Sequence, residues 1–268
     1  MLAAVGDSCV DRYLPPVDRT TAGGNALNVA ANLAARGHRT AYVGVVGDDA
    51  DGRLIRQAAA AAGLDLRHLS TTAGVTGVCT VRLSRDGERV FLSERTGVSG
   101  AYRPPVEAVE FLDGCDWVHA AGLAVGEPLL PRLRSRRRSY DFSTHDPGRI
   151  RELAEHLDIA FLSGAGTDRD QAVALARAAV AAGARAAVVT RGRRGSLAAW
   201  DGGLAEHPAE PAEVVDTLGA GDALIAAVIS SVVAGADLDQ ALAEGARAAA
   251  AACTHLGAFT VPGSVTPS

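Results

Sequence analysis

The chain has 268 residues, 48% of them apolar and 21% charged, with a formal net charge of −5. That is a globular composition, and its acidic balance argues against steering toward nucleic acid or an anionic membrane. There is no lysine: all 26 positions counted as Lys or Arg are arginine, which excludes Schiff-base chemistry and argues against P-loop NTPases and protein kinases, since these place a lysine on the nucleotide phosphates.

Residues 2–6 and 40–46 read as buried strands. Between them, residues 25–36 form a helical pattern, with Leu27, Ala31 and Ala34 on one face and Gly37 where a helix would stop. Residues 49–62 read as a second helix ended by Gly63. Two β-rich runs, 75–83 and 89–93, flank Asp86-Gly87, a hairpin signal. They predict an antiparallel flap. Beyond it the alternation resumes, with strands at 117–121, 139–142, 159–163 and 186–190. Helices are predicted at 105–112, 128–134, 149–156 and 168–182. A second hairpin turns at Asp201-Gly202-Gly203, and two helices, about 220–233 and 238–254, close the chain before a Ser/Pro/Thr-rich tail at 262–268. Such alternation predicts a mostly parallel sheet covered on both faces, with ligands at the carboxyl ends of its strands. The cysteines Cys9, Cys79, Cys115 and Cys253 form no CxxC pair and read as reduced thiols. The first residues lack a basic leader, and the apolar run 223–236 is shorter than the roughly 20 residues of a bilayer span. The expectation is a cytoplasmic protein that contacts neither membrane nor nucleic acid. The arginines between Arg132 and Arg138 read as a solvated helix end, and His119 and His145 as hydrogen-bonded structural residues.

The strongest chemical signal is Asp216-Thr217-Leu218-Gly219-Ala220-Gly221-Asp222, running straight into a helix. Small residues at 219–221 leave successive amides bare, and the helix start adds positive potential, so the turn suits an anion. Asp222 then has two readings, open on the residues alone: a base beside a transferring phosphoryl group, or an N-cap on a Gly-rich turn. Gly23-Gly24 before a helix permit close backbone approach, and Asn25 and Asn28 can donate and accept. Asp7 and Asp11, placed after the first strand, suit hydroxyl binding. Thr190-Arg191-Gly192-Arg193-Arg194-Gly195 follows a strand and reads either as a phosphate loop or as a plain hairpin loop.

Taken together these strings resemble the PfkB (ribokinase-type) sugar kinases over about residues 2–262. The resemblance implies a ribokinase-like α/β fold: one three-layer α/β/α sandwich over residues 1–268, a mostly parallel central sheet, and a small β lid from about 75–95 plus about 9–18. It implies Asp222 as catalytic base with Gly219, Ala220 and Gly221 as anion hole. Asp7, Asp11, Gly23, Gly24, Asn25, Asn28 and Arg95 would hold the sugar. Ser163, Thr190, Gly192, Gly195, His255 and Gly257 would meet ATP. Mg2+ would accompany the ATP, and K+ could sit near Asp216 and Thr260. One departure stands out: where the family has Asn-x-x-Glu to order the metal, this chain reads Ser163-Gly164-Ala165-Gly166, leaving Asp168 as a distant substitute. Gly6-Asp7-Ser8-Cys9-Val10-Asp11, Val118-His119-Ala120-Ala121 and Asp141-Phe142-Ser143 are similar to fructoselysine 6-kinases. The expected reaction is transfer from ATP to the 6-hydroxyl of fructoselysine, with Glu94 and Arg95 meeting its amino-acid moiety. The alternatives are a kinase for fructose or ribose, or a sugar-sensing relative with little turnover. A Gly-x-Gly-x-x-Gly turn is missing after the first strand, which argues against a dinucleotide oxidoreductase. Exposed flap edges imply a homodimer through the lid.

Overall fold

The computed structural model describes residues 1–84, 87–122, 128–143 and 146–260. Asp86 of the expected hairpin signal, His145 and the 262–268 tail lie outside these. Strands β1 (Leu2–Val5), β2 (Cys9–Tyr13) and β3 (Arg19–Gly23) lead into α1 (Asn25–Ala35). Then come β4 (Thr40–Gly47), α2 (Ala50–Ala61), β5 (Leu69–Thr72), β6 (Gly77–Leu83), β7 (Arg89–Arg95) and α3 (Val106–Asp113). Strands β8 (Trp117–Ala121) and β9 (Arg138–Asp141) precede α4 (Pro147–Leu153), β10 (Ile159–Ser163), α5 (Arg169–Ala181), β11 (Ala186–Thr190), β12 (Ser196–Trp200) and β13 (Gly203–His207). Helices α6 (Ala220–Val233) and α7 (Leu238–Ala252) follow.

The main sheet has nine strands in the order β13-β12-β11-β10-β9-β8-β1-β4-β5. From β5 to β11 every pairing is parallel, and the β12–β13 hairpin adds an antiparallel edge. Strand β1 shows why two helical layers form, because its residues alternate between faces. Ala3 and Val5 join Leu112, Leu130, Ile150 and Ala176 on one side. Leu2 joins Val29, Leu33, Ile225, Ile229 and Leu242 on the other, and Ala4 joins Leu27, Tyr42 and Ile55 there. The sandwich thus places α3, α4 and α5 on one face and α1, α2, α6 and α7 on the other.

A separate four-stranded sheet, β3-β2-β6-β7, forms the lid. It is larger than the sequence indicates. The expected lid takes in about 9–18 and 75–95, yet Arg19–Gly23 is also a strand of it, paired antiparallel with β2. Asp11 therefore does not stand at the end of β1: it lies inside β2, opposite Thr21 and Cys79. The β6–β7 hairpin matches the predicted flap. Strand β5 is the other unanticipated element. It is a four-residue edge strand whose last three residues are at least partly exposed, so it carries no apolar run. Among the described residues no helix is long and apolar enough to cross a membrane.

Candidate active site

The chain leaves β1 at Gly6-Asp7, β9 at Asp141, β10 at Ser163 and β11 at Thr190, all at one edge of the parallel sheet. Two helix starts face each other there. Helix α1 begins at Asn25 behind Gly24, and α6 begins behind Gly219. Gly219 has φ of 79°, a left-handed conformation that favours glycine, and a Cβ there would lie 2.4 Å from Ala258 Cα. No side chain caps α6. Ala220 N donates to Thr217 O only at a long 3.4 Å, the first amides of a helix have no acceptor within it, and a Cβ added at Gly221 would meet nothing within 4 Å. Such an open, amide-lined turn has the geometry to receive an anion.

Asp222 sits in the first turn of α6. Asn28 Nδ2 on α1 donates to its Oδ2 at 2.7 Å, so the two helix starts are tied directly. Burial pushes the Asp222 carboxyl up to about 8; the Asn28 bond opposes this and the nearby Asp141 charge adds to it. Asn28 is 4% exposed, and its Oδ1 has no protein partner. Asp7 accepts the Asn25 backbone amide at 3.3 Å through Oδ2, while its Oδ1 is likewise unmatched. Burial pushes Asp7 up as well. Asp11 is 3% exposed and is raised to about 7, mainly by burial and then by Asp216. A Cβ at Gly23 would stand 1.9 Å from Asp11 Oδ2, so the close approach of β2 and β3 requires glycine.

Asp7, Asp11, Asn25, Asn28 and Asp222 therefore form one connected group with the 219–221 turn. Arg95 is an exposed residue of β7, in register with Val78. In the proposed nucleotide loop, Thr190 Oγ1 lies 3.5 Å from the Leu162 carbonyl, and Gly195 packs so closely that a Cβ would meet His207 O at 2.1 Å. The loop arginines are already engaged. Arg191 binds Glu206, Arg193 pairs with Glu88 at 3.1 Å, and Arg194 Nη1 donates to Thr167 O at 2.6 Å. Ser163 ends β10, and Asp168 caps α5 by accepting the Gln171 amide at 2.8 Å. Asp216 is fully buried. It accepts from Tyr13 Oη at 2.5 Å, Leu218 N at 2.9 Å and Gly257 N at 3.0 Å. His255 Nδ1 lies 3.4 Å from Leu256 O, and Thr260 is exposed. His119 is the structural residue anticipated. It is fully buried beside Ser139 Oγ at 3.0 Å, and burial lowers it to about 3.

Two residues fall outside the expected site set, Asp141 even though it opens the Asp141-Phe142-Ser143 string. Asp141, at the carboxyl end of β9, accepts from Asn25 Nδ2 and from the Ser143 amide at 2.8 Å. Burial raises it, and Asp7 raises it further. Its position at the end of a parallel strand is the signal that points to it. Arg89 of the lid donates to the Thr217 carbonyl at 2.5 Å and counters the charge of both Asp11 and Asp222. No local motif marks it.

A three-layer α/β/α sandwich whose β lid roofs a carboxylate on an uncapped helix start defines a phosphotransferase with an alcohol acceptor. A profile of the pfkB family carbohydrate kinases matches residues 4–136 and 150–262, and the chain belongs to that family. It is 38% identical over 263 residues to the fructoselysine 6-kinase of Shigella flexneri, covering 96% of this chain and 99% of that protein. It is 32% identical to the fructosamine kinase FrlD of Bacillus subtilis, over 96% and 92% of the two chains. In three dimensions it is similar to Arabidopsis thaliana ribokinase complexed with ribose and ATP. There the TM-score is 0.79 at 24% identity, covering 96% of this chain and 93% of that one. The microbiome-derived acarbose kinase Mak1 gives a TM-score of 0.82 at 25% identity, over 97% and 94%. The fold is ribokinase-like.

The Asp222 environment sets a pH dependence. In the unfolded chain this carboxyl titrates near 3.8, and in the folded chain near about 8. Across that window the folded state holds the extra proton, so stability falls as pH rises. Asp222→Asn removes this titration. In urea unfolding, the variant should gain stability relative to the parent between about pH 4 and about pH 8. A difference that stays constant over that range would show that Asp222 is not raised.

Proposed function

We propose that the protein transfers the γ-phosphoryl group of ATP to a primary hydroxyl of a sugar-amine, the 6-hydroxyl of fructoselysine. The observation that carries this is the 2.7 Å bond holding Asp222 between the Asn28 amide and the open 219–221 turn. The base needs a fixed position beside the hydroxyl, and the transferring group needs donors with no competing partner. The start of α6 offers the first through Asn28 and the second through an uncapped turn in which Ala220 N meets Thr217 O only at 3.4 Å.

The roles follow from placement. Asp11 from the lid, Asn25 and Asn28 from α1, and Asp7 after β1 orient the sugar, with Gly23 and Gly24 giving close approach. Asp222 removes the hydroxyl proton. The Gly219, Ala220 and Gly221 turn receives the charge on the phosphoryl oxygens. The Thr190–Gly195 loop, Ser163 at the end of β10, and the His255–Gly257 segment flank the nucleotide. Lid closure excludes water as a competing acceptor.

The carboxylates also support an amine-bearing substrate. Burial raises Asp7, Asp11, Asp141 and Asp222, and Asp7 raises the other three further. An ammonium group in this cavity would relieve that repulsion, which a neutral sugar cannot do. Arg95, at the end of β7, is free to meet the amino-acid carboxylate.

Mg2+ would shield the ATP phosphates when bound, but the expected site for ordering it offers no carboxylate at 163–166, and Asp168 is spent on its helix cap. The donor set at that position does not fit, and no step above passes through the ion. The same holds for K+ at Asp216, whose oxygens already accept three donors.

A homodimer through the lid completes the reading. Strand β7 is a sheet edge on which Val90, Phe91 and Leu92 are 49%, 51% and 44% exposed, and such an edge invites pairing with a second copy.

The missing carboxylate at 163–166 favours a second reading, a sugar-sensing relative without turnover. Three measurements decide. Asp222→Asn should cut turnover by about 10²–10⁴-fold while the sugar KM moves little; an active variant would remove Asp222 from its role. In an ADP-release assay, kcat/KM for fructoselysine should exceed that for fructose or ribose by at least about tenfold, a difference of roughly 1.4 kcal/mol in transition-state binding. Equal values would refute the amine preference, and no release with any sugar would favour the sensor. Light scattering should give a dimer that Phe91→Asp converts to monomer; a monomeric parent protein would refute the interface.

A further inference from the structure

The lid carries a cluster of ligating atoms of which the phosphoryl-transfer reading uses only Asp11. Cys9 and Asp11 stand two residues apart on β2 and so share a face. Strand β6 runs parallel beside it and puts Cys79 opposite Asp11. Tyr13, on the same face of β2, bonds Asp216 and packs with Leu218 and Ala258, so this face looks toward the start of α6. Cys9 Sγ lies 3.6 Å from Cys79 Sγ and 3.8 Å from Asp11 Oδ1. One ligand atom from each of the three residues falls within 4.8 Å of the others. Asp11 is 3% and Cys79 8% exposed, and both cysteines are free thiols.

We propose that Cys9, Asp11 and Cys79 form a binding site for a thiophilic divalent cation of the Zn2+ class, on the inner face of the lid. With Zn–S near 2.3 Å and Zn–O near 2.0 Å, the edges of a tetrahedron are roughly 3.8 Å between sulfurs and roughly 3.5 Å from sulfur to oxygen. The observed separations of 3.6 and 3.8 Å match these to within about 0.3 Å. Two thiolates with one carboxylate suit a borderline-soft ion better than Mg2+ or Ca2+. Binding displaces both thiol protons to solvent and leaves the fourth position for water.

A disulfide fits the same pair less well. Cys9 registers with Gly77, two residues from Cys79 along β6. That offset is about 6.6 Å along the strands and about 4.8 Å across them, so the two Cα atoms are roughly 8 Å apart. A disulfide spans less than about 7 Å between Cα atoms. A bridging ion needs no backbone movement.

The site has a consequence for the reaction. Asp11 would serve both the ion and the sugar, and an ion on its carboxylate withdraws charge and lone pairs from a sugar hydroxyl, so we expect the ion and the sugar to weaken one another. This consequence rests on the sugar-binding role given to Asp11 above; the metal site itself does not.

The test uses the full-length, reduced, metal-free chain titrated with Cd2+ and then with Zn2+. Thiolate-to-cadmium absorption in the ultraviolet reports ligation directly, and a chromophoric chelator reports Zn2+ affinity. The expected result is one ion per chain, with affinity falling at least about a hundredfold in both Cys9→Ser and Cys79→Ser and unchanged in Cys253→Ser. Thermal melting of each variant establishes that it is folded. Absence of the cadmium–thiolate band, or parental affinity in either folded Cys9→Ser or folded Cys79→Ser, overturns the site. Repeating the titration with saturating fructoselysine separates the two claims. Weaker Zn2+ binding supports the coupling, whereas unaltered binding overturns it while the metal site stands.

Discussion

The hydrogen bond from Asn28 to Asp222 holds the active end of this molecule together. Its donor and acceptor are 194 residues apart in sequence, yet each stands in the opening turns of a helix packed on the same sheet face. Helices α1 and α6 lie side by side in that layer, which is what lets one amide reach the other helix's carboxylate. The bond favours the charged form of Asp222 in surroundings that otherwise oppose it. Burying several carboxylates together costs stability. Here the charged form of Asp222 gains one side-chain bond from Asn28 and the distant help of Arg89. Local conflict of this kind belongs at a functional site, where a ligand supplies the missing partners.

A second set of contacts couples the lid to the same turn. Tyr13 on β2 donates to Asp216, which also accepts the Leu218 and Gly257 amides. Arg89 on β7 donates to the Thr217 carbonyl. Both anchors end on residues 216–218, immediately before the glycine that starts α6. The lid thus bears on the backbone that shapes the anion cradle, and a movement of the lid must be felt there. The Asp216 carboxylate acts as the pivot: fully buried, with the lid, the pre-helix turn and the 255–257 segment all bound to it.

How legible this was in the sequence depends on whether the signal was local. The βα alternation gave the parallel sheet because β1, β4, β8, β10 and β11 are largely apolar runs, almost wholly buried. Asp222 and Gly219–Gly221 were legible because a tight turn, bare amides and a carboxylate are contiguous in the chain. Strand β3 was not, since Gly23-Gly24 marks a helix start and the residues before it become a strand only by pairing with β2. Asp11 was assigned to the site but to the end of β1, because a break of three residues after β1 hides the switch from one sheet to the other. Asp141 was legible only within the Asp141-Phe142-Ser143 string and not as a site residue, and Arg89 carries no motif at all. Each acts through partners more than a hundred residues away in sequence, Asn25 for the first and Thr217 for the second.

The absence of lysine sharpens what the fold must do with phosphate charge. The three arginines of the 190–195 loop are fixed by Glu206, Glu88 and the Thr167 carbonyl. A guanidinium so engaged can lend its field without turning to grip a phosphate. Arg89 is likewise bound, to a carbonyl rather than a carboxylate, so its charge is not cancelled where it stands. The positive potential at the start of α6 must then come chiefly from backbone amides and the helix dipole, with Arg89 adding to it across the lid. Such donors are fixed in place by the fold, so they need no reorganisation as charge shifts onto the phosphoryl oxygens. Their placement depends on Gly219, whose surroundings leave no room for a side chain. A side chain at 219 would strike Ala258, and moving Gly219 would move every amide after it.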